Sequence, residues 1–477
     1  MKIIIFGTGK YCQNRKEKLY DMLGKDVIVA FIDNKILPGS SDHFDGYTVN
    51  HPSDILPLTF DRIILMSSYV DEMRQQLLDM GVDNLKICTW ERYEHEKSAG
   101  KIKLYVGDVP KNKRKILVLT TDLNYNGGSM ASIYATKALI KKGYDTWLAA
   151  PSIDRKLLSE LSLDGISVAV CLGLPYISEK ELYWMREFDL ILVNVFQMVE
   201  CAYKINHIRP VLWWIHEPIF GYDHYLETLK DFPIYSSIDM LKDIYTVAVS
   251  EIARKKFYIH YPGMSLNLMP YGIPDDAVNV NVKKKENFVF AIIGDINRRK
   301  AQKIFVEVAL KLLETNNYKV EFWLIGAYGK NSYVEELQGM ICNSPEIKLL
   351  GLMNRNDLRN AFEGIDAVVC SSLEDPLPIV VTEGMMNGKV VITTDATGQA
   401  SMIRDGYNGF VTKAGDIDEL YQKMEWVLTH RNELQGIKRN SRETYEKYFT
   451  MDKFGDRLEQ ELFRAKELFD SRREGES

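Results

Sequence analysis

The sequence predicts an α/β protein built on doubly wound parallel sheets, and three observations predict it. Short apolar runs alternate with helix-patterned segments along most of the chain, the signature of successive βαβ units. Runs such as Ile116-Leu-Val-Leu-Thr120 are apolar throughout, as central strands covered on both faces are. Polar, glycine-bearing loops follow strands and precede helices, at the carboxyl edge where α/β sheets bind ligands. With 477 residues the chain has room for two or three domains of about 100–200 residues each.

Composition narrows the classes. The chain is 46% hydrophobic and 26% charged, a globular balance, and its net charge of −6 gives no general reason to expect nucleic acid as a partner. Six scattered cysteines without a C-x-x-C pair fit reduced thiols better than disulfides or a zinc site. The start, Met1-Lys-Ile-Ile-Ile-Phe-Gly7, reads as strand and turn rather than a signal peptide, and no apolar run approaches the ~20 residues of a membrane span. A cytoplasmic location is the expectation, with the inner face of the cell membrane left open.

Residues 1–95 read as a small Rossmann-like unit. Strand Lys2–Phe6, the turn Gly7-Thr-Gly-Lys-Tyr-Cys12 and strand Val27–Ile32 ending in Asp33 form half of a dinucleotide-binding pattern. Asp33 stands where a ribose-binding acid sits, but Cys12 replaces the third glycine, which permits close helix packing. A structural or partner-docking role, including homo- or hetero-oligomer formation, therefore ranks ahead of nucleotide binding. Strand Arg62–Met66, helix Asp71–Met80 and strand Asn84–Cys88 complete the unit, with Asp42–Pro57 as a crossing loop. Residues 96–114, within the charged stretch Glu91–Lys115, read as a connector. Its cluster of Lys111, Lys113, Arg114 and Lys115 reads as a solvated run, with an anionic membrane surface as the alternative.

A second unit, 115–280, opens with the strand at Ile116. The loop Asp122–Ser129 ends in Gly127-Gly128, ahead of apolar residues at helical spacing from Met130 to Ile140. Glycines at a helix N-terminus let a diphosphate or sugar approach the backbone; a tight strand–helix turn is the plainer reading. Further strands are expected at Asp145–Ala150, Ile166–Cys171, Asp189–Val195, Val211–Ile215, Tyr245–Val249 and Leu266–Met269. One of them runs into Trp213-Trp-Ile-His-Glu-Pro218, which aims His216 at the ligand edge of the sheet. Ser250 is the expected cap of the following helix.

After a polar linker that includes Lys283-Lys-Lys285, a third unit covers 286–440. Strand Phe288–Ile293 leads to Gly294 and a turn bearing three consecutive cations, Arg298, Arg299 and Lys300, suited to a diphosphate. Strands follow at Val320–Ile325, Ile347–Leu350 and Asp366–Cys370. The stretch Cys370–Gly388 then gives strand, an acidic loop with Glu374, Asp375, Leu377 and Pro378, and a helix from Ile379 and Val380 through Glu383. Gly388 is its expected C-cap. Strand Val390–Thr394, a turn and strand at Tyr407–Val411, and helix Ile417–Thr429 close the unit. Residues 441–477 read as a helical segment, Ser441–Phe469, packing back across the domains.

These pieces carry a resemblance. From about 115 to 465 the chain resembles the retaining family-4 glycosyltransferases of GT-B fold. It does so through Gly127-Gly128, Trp214-Ile-His-Glu-Pro218, Val249-Ser250, Tyr271-Gly272, Gly294 with Arg299-Lys300, Gly351 with Asn356-Asp-Leu358, Asp366–Ser372, Glu374–Glu383 and Asp405-Gly-Tyr-Asn-Gly409. The resemblance implies two Rossmann-like domains facing a cleft, with residues 1–95 as an added domain. It also implies a nucleoside-diphosphate sugar as co-substrate, with no metal or other cofactor required. Glu383 would bind the ribose. Asp375, with seven residues between, would touch the transferred sugar, with Glu374 as the alternative register. Arg299 and Lys300 would neutralise the diphosphate, His216 would stand near the sugar, and Gly128 would let backbone approach the reacting groups. Two positions depart from the family: Asp295 stands where arginine is common, leaving Arg298 or Arg299 to compensate, and Ser401 stands where glutamate is common.

The expected acceptor is a saccharide, a lipid-linked saccharide or a protein. Two other classes compete: a non-catalytic subunit stabilising a partner transferase, and a dinucleotide-dependent oxidoreductase built on Gly7-Thr-Gly9, which lacks a catalytic constellation in residues 1–95.

Overall fold

A computed structural model describes residues 1–55, 57–108, 114–217, 238–277, 287–315 and 318–475. Pro218, Lys111, Lys113 and the Lys283-Lys-Lys285 linker, singled out above, lie outside them. The described residues form three sheets, each with helices on both faces.

The first sheet holds β1 (Lys2–Phe6), β2 (Val27–Ile32), β3 (Ser41–Phe44), β4 (Tyr47–Asn50), β5 (Arg62–Leu65) and β6 (Ile87–Thr89), in the order β3-β4-β2-β1-β5-β6. Its pairings are parallel except between β3 and β4. That hairpin lies inside Asp42–Pro57, read from sequence as a loop: Ser41-Asp-His-Phe44 is too polar to announce a strand, and Gly46, with φ +83°, makes the turn. Residues Asn84–Lys86 form a 3-10 turn rather than the start of a strand.

The second sheet holds β7 (Ile102–Tyr105), β8 (Lys115–Leu119), β9 (Asp145–Ala150), β10 (Ser167–Cys171), β11 (Leu190–Asn194), β12 (Val211–Ile215), β13 (Tyr245–Ala248) and β14 (Asn267–Leu268). The order is β14-β13-β12-β11-β8-β9-β10-β7, and only β7 is antiparallel. Its presence corrects the reading of 96–114 as a plain connector. The helix Trp90–Ser98 reaches into that stretch, and β7 adds an edge strand to the second sheet. Edge strands can be short and half-exposed, so their apolar signal is faint.

The third sheet, wholly parallel, holds β15 (Phe288–Ile293), β16 (Val320–Ile325), β17 (Ile347–Gly351), β18 (Ala367–Cys370), β19 (Val390–Thr394) and β20 (Phe410–Thr412), in the order β17-β16-β15-β18-β19-β20. Its strands are largely buried, in keeping with their Val- and Ile-rich sequences.

The segment read as one helix, Ser441–Phe469, is two: Leu434–Tyr448 and Met451–Gly475, broken at Phe449-Thr450. The second crosses back to the second sheet. There Phe454 packs on Trp214 with ring centroids 5.7 Å apart, and Lys142 pairs with Glu459 at 3.1 Å. Tyr245 donates to Glu461 over 2.6 Å. Among the described residues no helix is long and apolar enough to cross a membrane.

Strand order places the sites. In each sheet the order reverses between two adjacent strands: β1 and β5, β8 and β11, β15 and β18. The loops leaving such a pair diverge to opposite faces and open a crevice at the carboxyl edge. The loops after β8 and β11 carry Gly127-Gly128 and Val195. Those after β15 and β18 carry the cationic turn and the acidic loop.

Candidate functional site

The acidic loop 371–378 is stitched to the cationic turn by backbone geometry. The Leu373 N–H donates to the Arg299 carbonyl at 2.9 Å, and Ser371 Oγ donates to the carbonyls of Lys300 at 3.1 Å and Ala301 at 3.0 Å. Ala301 holds a left-handed φ of +54°, uncommon without glycine. Arg299 donates to the Glu374 carbonyl at 2.9 Å and stands 3.5 Å from the Asp375 carboxylate, to which Lys300 Nζ also donates. Burial works against the Lys300 charge, but the Asp375 and Cys370 side chains together outweigh it, so the ammonium's pKa lies above its usual value.

Of the three cations, two meet the acid. Arg298 is turned away, over the Tyr333 ring at 5.3 Å. Asp295 is exposed, and its carbonyl accepts from the Gln302 side chain at 2.9 Å. The two candidate acids diverge as well: Asp375 faces the cations, whereas the Glu374 carboxylate lies 3.8 Å from Lys256, on the helix Glu251–His260 beside the second sheet.

The helix Ile379–Met386 starts at Pro378, without a side-chain cap, and ends at Gly388 with φ +58°. Its opening turn therefore keeps N–H groups and a positive dipole end toward the loop. Leu377 and Val380 are buried beneath it. The loop is pinned from behind by Gly398, where an added Cβ would lie 1.8 Å from the Pro376 carbonyl and 2.7 Å from Ser250 Cβ. Only glycine fits there. Ser401, nearby, donates to the Gly398 carbonyl at 3.3 Å.

Glu383, one turn into the helix, is buried and accepts from Arg355 at 2.9 Å. Burial raises its pKa, against the pull of Arg355.

On the second sheet's side, His216 sits at the end of β12, its ring stacked on Tyr271 at 6.0 Å and edge-on to Trp214 at 4.2 Å. Burial lowers its pKa to about 3, so it is a neutral imidazole at physiological pH; among the described residues its buried Nε2 has no hydrogen-bond partner. Glu217 turns the other way. It accepts from the backbone N–H groups of Phe196 at 2.5 Å and His216 at 3.0 Å, and burial raises its pKa to about 7. Close by, after β11, Val195 is a β-branched residue with φ +73°. Such strain persists only where surroundings enforce it. Here Val195 N–H is held by the Trp214 carbonyl at 3.1 Å, and its own carbonyl accepts from Trp213 Nε1 at 3.1 Å.

Val195 faces Gly128. A Cβ on Gly128 would meet Val195 Cγ1 at an unstrained 3.7 Å, and one on Gly127 would meet nothing within 4 Å. The fold itself does not require glycine at either place, which removes the tight-turn explanation. Asn126 caps the helix by accepting from Ser129 N–H at 2.9 Å.

The structure therefore brings Arg299, Lys300 and Asp375 together on the third sheet, with Glu383 on the helix that follows and the Glu374 side chain turned toward Lys256. Gly127, Gly128 and His216 gather on the second, with Tyr271 joining the sides. The sequence reading missed Arg355, Glu217 as a brace, and Val195. Val195's strain has no signature in residue type, and Arg355 lies inside the recognised Asn356-Asp-Leu358 neighbourhood without a motif of its own.

The glycine turn of residues 7–9 has a different character. Thr8 donates to Asp33 through its N–H at 2.8 Å and its hydroxyl at 2.6 Å, and the Lys35 N–H occupies the other oxygen at 3.0 Å. The supposed ribose acid is thus committed to its own turn.

Comparison with known proteins bears on these features. Residues 275–444 match the family model "Glycosyl transferases group 1", and residues 1–88 match "C2185-like, N-terminal". The sulfoquinovosyl transferase SQD2 of Arabidopsis thaliana is 24% identical over 241 residues, covering 49% of this chain and 45% of its own length. The UDP-Gal:alpha-D-GlcNAc-diphosphoundecaprenol alpha-1,3-galactosyltransferase of Escherichia coli is 25% identical over 181 residues, covering 35% of this chain and 46% of its own. The chain thus spans less than half the length of these curated relatives. Among solved structures, Anabaena HepE in complex with UDP and glucose superimposes with a TM-score of 0.62 and 18% identity, covering 74% of this chain and 100% of that one. The fold of the chain is GT-B, and the match over residues 275–444 supports a glycosyltransferase of group 1.

Proposed function

We propose that the protein is a retaining, metal-independent glycosyltransferase of family 4. It moves a sugar from a nucleoside diphosphate, with UDP as the first candidate, to a saccharide or lipid-linked saccharide in surface-polysaccharide or glycoconjugate synthesis. The observation that carries the reading is the meeting of Arg299 and Lys300 with Asp375 at the third sheet's crevice, in the loop that leads into the helix carrying Glu383. Arg299 and Lys300 bind the diphosphate and stabilise the charge that grows on it as the glycosidic bond breaks. This is the work a metal does elsewhere. The open turn at Ile379 adds backbone donors. Asp375 orients the sugar's hydroxyls, Glu383 holds the ribose, and neutral His216 offers Nε2 to the sugar from the opposite side.

Retention follows a front-face course: the acceptor hydroxyl attacks from the side of the departing diphosphate, which takes its proton. Asp375, already paired with two cations, is not cast as a covalent nucleophile. The lipid-linked acceptor class draws support from the Escherichia coli relative, whose name specifies a diphosphoundecaprenol acceptor. Peripheral contact with an anionic membrane and oligomer formation through residues 1–95 belong to the same proposal.

The test is release of nucleoside diphosphate from a panel of UDP- and GDP-sugars with saccharide and polyprenyl-diphosphate acceptors, in EDTA, with anomeric configuration read by NMR. Lys300→Ala should lose at least about a hundredfold in turnover, the scale of removing one preorganised charged donor, and Glu383→Ala, which removes the acceptor for the ribose, about tenfold or more in kcat/KM. Full activity in both variants, or inverted product, would refute it.

A further inference from the structure

Glu383 does not stand alone. Its Oε1 accepts from Arg355, the first residue of the helix Arg355–Gly364 at the third sheet's carboxyl edge. The other Arg355 nitrogen donates to Asp276 at 3.2 Å, in the segment that leaves the second sheet. From the helix Gly127–Lys141, the buried Tyr134 hydroxyl faces the same guanidinium. These groups come from four parts of the chain: Glu383, Arg355 and Asp276 line a narrow cleft with Leu358, Arg359 and Met386, and Tyr134 meets the guanidinium from the second sheet's side. Glu383 Oε2 makes no hydrogen bond among the described residues.

We infer that Arg355 is a positioning residue for the donor's ribose: it grips one oxygen of Glu383, leaves the other for a ribose hydroxyl, and through Tyr134 and Asp276 ties that carboxylate to the opposite half of the cleft. The inference rests on the donor reading proposed above and extends it to a residue that does not itself touch the donor.

A buried carboxylate without a cation takes up a proton, and a protonated acid is a poorer acceptor for a diol. Arg355 favours the ionised form of Glu383 against its burial. The charged and titratable groups around it are Arg355 and, along the same cleft, Arg359 on its own sheet's side, Asp276 from the connecting segment, and Tyr134 and Tyr271 from the second sheet's side. Asp276 opposes the ionisation and Arg355 favours it. Arg355 also meets both Asp276 and Tyr134, so it couples ribose recognition to the register of the two halves.

The experiment uses the full chain and measures binding of UDP, GDP and ADP, each against its 2′-deoxy counterpart, by calorimetry. Wild type, Arg355→Gln and Arg355→Lys are compared at about pH 6 and about pH 8, because protonation of the carboxyl is favoured at the lower value. Wild type should lose affinity for the deoxy form at both pH values. Arg355→Gln should bind the ribonucleotide about tenfold more weakly, the scale of one charged hydrogen bond, and more weakly still at the lower pH. Its deoxy penalty should shrink toward none, with kcat nearly kept and KM raised. Arg355→Lys should recover part of the affinity. An undiminished deoxy penalty and unchanged pH profile in Arg355→Gln overturn the inference while leaving the donor reading standing. Wild type that binds none of the nucleotides overturns the donor reading and the inference together.

Discussion

The Tyr271 hydroxyl donates to the Leu377 carbonyl across 2.6 Å, joining a residue that ends the second sheet's unit to the acidic loop of the third. Tyr271 is buried, and its ring also backs His216. One side chain thereby sets both the candidate sugar-facing imidazole and the loop carrying Asp375. Tyr271→Phe should keep the stacking but leave a buried carbonyl without its donor, costing about 1–2 kcal/mol in unfolding free energy. Thermal melts give the stability term. The functional term is a rise in donor KM larger than any fall in kcat.

Glu217 makes stability depend on pH. Its folded pKa of about 7 lies above the ordinary carboxyl value of 4.5, so the folded state binds the proton more tightly than the unfolded one. The stabilising contribution is complete below the unfolded value and is lost as pH rises through about 7, by on the order of 3 kcal/mol. Glu217→Gln removes the titration, although its amide cannot accept from both Phe196 and His216. The difference in melting temperature between variant and wild type should therefore move in the variant's favour from about pH 5 to about pH 8. A constant difference across that range would show that Glu217 does not titrate as described.

Two glycines should respond in opposite ways. Gly398→Ala drives a methyl into the Pro376 carbonyl and should destabilise the fold and displace the acidic loop, so that melting temperature and donor binding fall together. Gly127→Ala meets no atom within 4 Å and should leave stability unchanged or raise it by up to about 1 kcal/mol, alanine being the better helix former. If substrate uses that open space, turnover drops in the same variant. A Gly127→Ala enzyme of wild-type activity would return the glycine pair to a neutral role.

Phe454 packs on Trp214, with no exposed surface, where the helix Met451–Gly475 meets β12. Phe454→Ala should cost about 3–5 kcal/mol, as large buried truncations do. Chemical denaturation measures it. The loss should appear in the unfolding of the second-sheet half, although the substituted residue follows the third sheet in sequence.

How much of this was legible beforehand follows from burial. Strands such as Phe288–Ile293 and Val390–Thr394 are covered on both faces, so they spell themselves out as apolar runs. The strand Ile102–Tyr105 and the hairpin Ser41–Asn50 lie at sheet edges, where half the residues meet water and the pattern dissolves into charge and turn signals. In the site, residues that act through type and spacing could be found: the cations at 298–300, the acids at 375 and 383, the glycine pair. Only coordinates show which cation faces which acid, that Arg298 turns to Tyr333, or that Asp33 is spent on Thr8. The break at Phe449-Thr450 carries neither glycine nor proline; Thr450 caps the second helix by accepting from the Lys453 N–H at 3.3 Å and pairs with Ile273.

The crossing of the helix Met451–Gly475 onto the second sheet has a consequence for how the molecule is made. Tyr245 waits 216 positions for its partner Glu461, and the entire third sheet is synthesised in between. During translation the nascent second half-molecule therefore carries an unfinished apolar wall at Trp214 that no earlier segment can seal. Completion of that wall is a late event tied to release of the distal chain. Ribosome-stalled chains that stop before Met451 should be sticky and protease-sensitive in residues 115–273, while the first sheet, whose strands are all in hand by Thr89, is already protected.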